Sequence, residues 1–163
     1  MSTATRTSSR HSYSDIQLSS LTSGAQLLVW SARQWLACAK TQRCVHEALA
    51  LPYAQHNISQ AIMPLDESMT LLALGASRQI ELGCLCASVL REDERTLLAA
   101  FRYLQCNDLE QAMSAVTPLI HGCLKRTFCR TAAAYTEQLQ TVNMKLNGTA
   151  YLQAVRTEGG ADD

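Results

Sequence analysis

The sequence predicts an all-α fold, a compact single-domain bundle of about five or six helices. Three observations predict it. Apolar residues recur at three- and four-residue steps over long stretches, and capping residues, prolines and Asn-rich breaks punctuate those stretches. No Asn-Gly or similar turn stands between two alternating apolar runs, so there is no β-hairpin signal. A chain of 163 residues supports one domain, and an apolar content of 47% is enough to build its core. The expected division is a disordered Ser/Thr-rich tail over 1–21, a helical domain over 22–148 and a frayed tail over 149–163.

Leu27, Leu28, Trp30, Trp35, Leu36 and Cys38 follow helical steps, with Arg33 and Gln34 on the other side. This reads as an amphipathic helix over 22–39 with Thr22 or Ser23 as N-cap. A second helical stretch is expected from Cys44 to about Gln60, interrupted or kinked at Pro52. Pro64-Leu65-Asp66-Glu67 reads as the entrance to a third, with a proline first and acids where the helix dipole favours them. Its apolar run fades at Gly75, and residues 76–90 read as irregular.

The clearest helix covers about 91–105. Leu97, Leu98, Phe101 and Leu104 form its apolar stripe, and Glu92, Arg95 and Arg102 are assigned to the solvent side. Glu92-Asp93-Glu94 at its start is explained by the helix dipole and solvent rather than by acid–base chemistry. Asp108 with Gln111 has capping-box spacing and opens a short helix to about Thr117. Pro118 is expected to open the last helix, whose repeat through Ile120, Leu124, Thr131, Tyr135, Leu139, Val142 and Leu146 ends at Asn147-Gly148.

Charge and composition exclude several functions. With 14 basic and 14 acidic residues the chain lacks the basic footprint of a general nucleic-acid binder. No apolar stretch is long enough for a membrane span, and the N-terminus lacks the apolar middle of a secretory signal. Residues 1–23, with Arg6 and Arg10 and no acid before Asp15, overlap in composition with a transit peptide but lack its amphipathic pattern. Seven cysteines, an odd number, in a chain with its own core argue for reduced thiols and a cytoplasmic location.

The sharpest chemical candidates are thiols and imidazoles. Cys44 with His46, His121 with Cys123, and the pair Cys84-Leu85-Cys86 offer zinc- or copper-type ligands. Spacing weakens a metal site: two residues turn a helix by about 200°, so neither Cys44/His46 nor His121/Cys123 can chelate from one regular helix. No Cys-x-x-Cys occurs. The cysteines are therefore read mainly as small apolar fillers of helix interfaces. If thiol chemistry is present, Cys44 beside Arg43 and His46, and Cys129 near Lys125, Arg126 and Arg130, have the surroundings that stabilise a thiolate.

No phosphate-binding, nucleophile-elbow, zinc-protease or Glu-x-x-His di-metal motif is present. No catalytic residue and no cofactor is expected. Trp30 and Trp35 lie about 140° apart on the helical wheel, so one can be buried while the other nears the surface. They join the basic group Lys125, Arg126 and Arg130 as interface candidates. The resulting expectation is a non-enzymatic helical protein acting through contacts with another protein or with itself as a homodimer. The alternative is a thiol-based redox or Zn/Cu-responsive regulatory protein.

Overall fold

A computed structural model describes residues 15–147. It is an all-α fold with six α-helices among the described residues: α1 (Ser23–Thr41), α2 (Val45–Gln55), α3 (Ile62–Leu74), α4 (Glu92–Gln105), α5 (Leu109–Ala115) and α6 (Gly122–Thr141). The tail expected over 149–163 and the transit-like residues 1–14 lie outside the described residues. Among the described residues no helix is long and apolar enough to cross a membrane.

The helix ends follow local chemistry. Thr22 caps α1 by accepting from Ala25 N–H, and Asp108 caps α5 by accepting from Gln111 N–H. Gln42, Asn57, Asn107 and Asn143 take positive φ where chain segments break; for three of these asparagine tolerates the left-handed region better than most residues.

Four expected boundaries move. The helix expected from Cys44 to Gln60 stops at Gln55, three residues beyond Pro52, and a 3-10 turn at Ser59–Ala61 leads directly into α3. That helix begins at Ile62 rather than Pro64. Proline is tolerated at its third position because the first-turn N–H groups have no intrahelical acceptor to lose.

Pro118 does not open the last helix. Residues 118–121 form a turn bonded to the end of α3, with Ser77 Oγ donating to Pro118 O and His121 N–H donating to Gly75 O. α6 therefore starts at Gly122 and ends at Thr141. The apolar repeat that pointed to Leu146 continues because Leu146 is buried after the chain has left the helix. Gln105 Oε1 accepts from Leu146 N–H, and Arg102 Nε donates to Leu146 O.

The disordered tail expected over 1–21 does not extend through 15–21. Leu18 N–H donates to Ser88 O and Leu90 N–H to Ile16 O, while Ile16, Leu18 and Leu21 pack on the core.

α6 packs along α3 and α4, and α5 lies on α4. Phe101 of α4 meets Phe128 and Tyr135 of α6 edge-on, with ring centroids 6.1 and 5.6 Å apart. Leu49, Tyr53, Leu65, Leu98, Leu119 and Leu139 fill the surrounding interior. Tyr53 and Tyr135 bury their hydroxyls 3.2 Å apart, and Tyr53 donates to Ser31 Oγ at 2.9 Å. Both tyrosines are pushed above their ordinary pKa, chiefly by burial, Tyr53 to about 12.

Candidate functional site

Arg33 is the centre of the site. Periodicity sets it opposite the apolar stripe of α1, yet its side chain is 1% exposed and faces Glu94, also 1% exposed. Nε donates to Glu94 Oε1 at 2.6 Å and Nη2 to Glu94 Oε2 at 2.8 Å. The remaining donors reach backbone carbonyls of the irregular segment: Nη1 to Ala87 O at 2.6 Å and Cys84 O at 3.2 Å, and Nη2 to Val89 O at 3.0 Å. All five guanidinium N–H groups are thus used, which makes burial of the cation tolerable.

Glu94 is satisfied as fully, accepting from Gly83 N–H and from the N–H of Arg91, the residue that caps α4. The Glu94 hydrogen bond, opposed by desolvation, leaves Arg33 raised above its ordinary pKa. A Cβ on Gly83 would lie 2.8 Å from Arg33 Nη2, so glycine is what lets the loop approach the guanidinium.

The neighbouring acid does similar work nearer the surface. Asp93 takes a two-pronged contact from Arg78, with Nη2 to Oδ1 at 2.6 Å and Nη1 to Oδ2 at 2.9 Å, and also accepts from Glu81 N–H. The helix dipole and solvent alone would leave the acids at the start of α4 as an exposed cluster. Glu92 is exposed as expected, but Asp93 and Glu94 are buried and organise residues 78–91. Arg102, also assigned to solvent, is buried and bonded to Leu146 O.

Clamped on this frame, the Cys84-Leu85-Cys86 turn presents two exposed thiols with Sγ atoms 2.8 Å apart. They are not equivalent. The Cys84 thiol lies below its ordinary pKa, first because the Cys86 side chain hydrogen-bonds to it, then through the Cys86 and Ala87 backbone and the Arg33 charge. The Cys86 thiol is raised, chiefly by the same bond to Cys84. Leu85, between them, is 45% exposed.

The other candidates are dispersed. Among the described residues no three His, Cys, Asp or Glu side chains group so as to hold a metal ion. Cys44 is exposed at the start of α2, and His46 faces Asp66 (Nε2 to Oδ2, 3.3 Å) rather than a thiol. Asp66 Oδ1 also accepts from Trp35 Nε1 at 2.7 Å. His121 and Cys123 sit exposed at the start of α6.

Cys129 is buried. Loss of hydration pushes its thiol up to about 11, against the weaker opposite pull of Lys125, so it is the reverse of an activated thiol. The reading of the cysteines as core filler holds for Cys38 and Cys129, while the other five are exposed. Lys125 donates to Thr117 Oγ1 at 3.1 Å, whereas Arg126 and Arg130 point outward. Trp30 and Trp35 are both half-buried against the core, and Trp35 lines an apolar cleft of about 210 Å³ with Leu36, Met69 and Ile80.

Two measurements check this frame. Glu94→Gln keeps the shape but leaves the buried Arg33 cation without its counter-charge, and should cost about 3–5 kcal/mol in denaturant unfolding. Asp93 is held below the usual carboxylate range chiefly by Arg78. Its stabilising contribution is complete above about pH 5, where unfolded-chain carboxylates are ionised, and is lost as pH falls through the lower folded value. Asp93→Asn should lower the melting temperature at neutral pH and flatten its fall on acidification.

No known protein family, characterised protein or solved structure matches this chain.

Proposed function

We propose that this is a thiol-based redox-responsive protein whose reactive centre is the Cys84–Cys86 pair. The observation that carries the reading is the 2.8 Å approach of two exposed sulfurs in a turn whose carbonyls are fixed by a buried guanidinium. A small movement of the two side chains would bring them to bonding distance. Cys84, the more acidic thiol, is the nucleophile; Cys86, hydrogen-bonded to it, is the resolving thiol.

The reaction is a two-electron oxidation. The Sγ–Sγ bond forms as the pair gives up two electrons and two protons, and a hydroperoxide receives them to become an alcohol and water. Cys84 passes through a sulfenic acid that Cys86 displaces with loss of water. This reading moves the thiol chemistry from Cys44 and Cys129 to Cys84 and Cys86.

Treatment with stoichiometric hydrogen peroxide should remove two hydrogens from the chain mass and link Cys84 to Cys86 by peptide mapping. Cys86→Ser should stop at a trappable sulfenic acid on Cys84, and Cys84→Ser should react several-fold more slowly. Preferential oxidation of Cys44, Cys106 or Cys123 in the unmodified protein would overturn the reading.

Protein–protein contact is the second reading, favoured by Leu51, Met63 and Leu74, which are 69%, 59% and 76% exposed. Light scattering after size-exclusion chromatography should show a dimer or a larger complex under this reading. A monomer that purifies alone would count against it.

A further inference from the structure

A cavity of about 510 Å³ opens where the chain leaves the dithiol turn, with Asp15, Ala87, Ser88, Arg91, Glu92 and Arg95 in its lining. Ala87 and Ser88, which directly follow Cys86, form one wall. That wall is fixed from behind by Arg33 holding Ala87 O and Val89 O, and from the side by the backbone bonds of residues 16–18 to 88–90. Arg95 Nε is buried and has no hydrogen-bond acceptor among the described residues. A buried donor without an acceptor costs free energy unless something that comes and goes supplies one.

The cavity's charges come in both signs. Arg91 and Arg95 suit carboxylates, and Asp15 and Glu92 suit an ammonium group. A simple anion would meet the two acids and a simple cation the two guanidinium groups, whereas a ligand carrying both charges can satisfy both sets.

We infer that this cavity binds the zwitterionic end of a low-molecular-weight disulfide, an amino-acid or short-peptide type, and delivers its sulfur to Cys84. The inference rests on the dithiol reading and names its oxidised partner. The Cys84 thiolate attacks one sulfur of the disulfide, forming a mixed disulfide and expelling one thiolate. Cys86 then loses its proton to solvent and attacks Cys84 Sγ, closing the intrachain disulfide and expelling the second thiolate. Two small thiols leave and two protein thiols are oxidised, so the exchange balances without another oxidant.

The test compares glutathione disulfide, which carries both charges, with the uncharged hydroxyethyl disulfide. Their second-order rate constants for oxidising the reduced protein are expressed as a ratio. In the unmodified protein glutathione disulfide should be favoured. Arg95→Gln should lower the ratio about tenfold, Arg91→Gln several-fold, and high salt should lower it in the unmodified protein. Arg91 is exposed, so Arg91→Gln carries the test if Arg95→Gln fails to fold. A ratio unchanged in the variants, or a protein inert to both disulfides, overturns the inference. The peroxide experiment reads the dithiol chemistry separately, since hydrogen peroxide carries no group for the cavity to hold.

Discussion

Everything distinctive about this molecule hangs on one buried cation. Arg33 leaves the middle of α1 beneath the irregular segment, and with Glu94 it forms an ion pair removed from water. Such a pair is tolerable only if every remaining donor and acceptor finds a partner. The partners here are backbone groups of Gly83, Cys84, Ala87, Val89 and Arg91. The need to satisfy two charges therefore dictates the path of a loop that has no regular hydrogen bonding of its own.

The consequences spread outward in order. Residues 83–91, fixed by Arg33 and Glu94, offer the edge on which Ile16 and Leu18 pair, so Arg33 orders the start of the described chain through the backbone of residues 88–90. Asp93 repeats the arrangement one residue earlier with Arg78 and Glu81, holding the first half of the loop. The first turn of α4 acts as an anchor for the loop as well as a helix start. The aromatic contacts of Phe101 with Phe128 and Tyr135 hold α4 against α6, giving that anchor a firm base.

The helices were legible because apolar periodicity reports burial against neighbours, and it placed α1, α4 and α5 within a residue or two of their positions. The prolines misled in both directions. Pro64 sits two residues inside α3, while Pro118 belongs to a turn whose bonds to Gly75 and Ser77 come from far away in sequence. The buried ion pair was missed through reading charge as solvent exposure. Spacing held the signal: Ala25, Val29 and Arg33 are one turn apart on α1, as are Glu94, Leu98 and Arg102 on α4, so all three charged residues stand in the register of the apolar stripe. The Cys84–Cys86 pair was visible as two thiols, but their convergence depends on carbonyls held by Arg33, which no local pattern encodes.

Gly24 packs so closely on Lys145 that a Cβ would lie 2.8 Å from its carbonyl oxygen, and Thr22 Oγ1 donates to that same oxygen across 123 positions. The opening of the first helix is therefore completed by nearly the last described stretch of the polypeptide. On a ribosome, α1 would emerge long before its seat exists. Until Lys145 and Leu146 clear the exit tunnel, the Thr22 hydroxyl stays hydrated and the flank of α1 at Gly24 stays uncovered, so this seam closes well after α1 itself has formed.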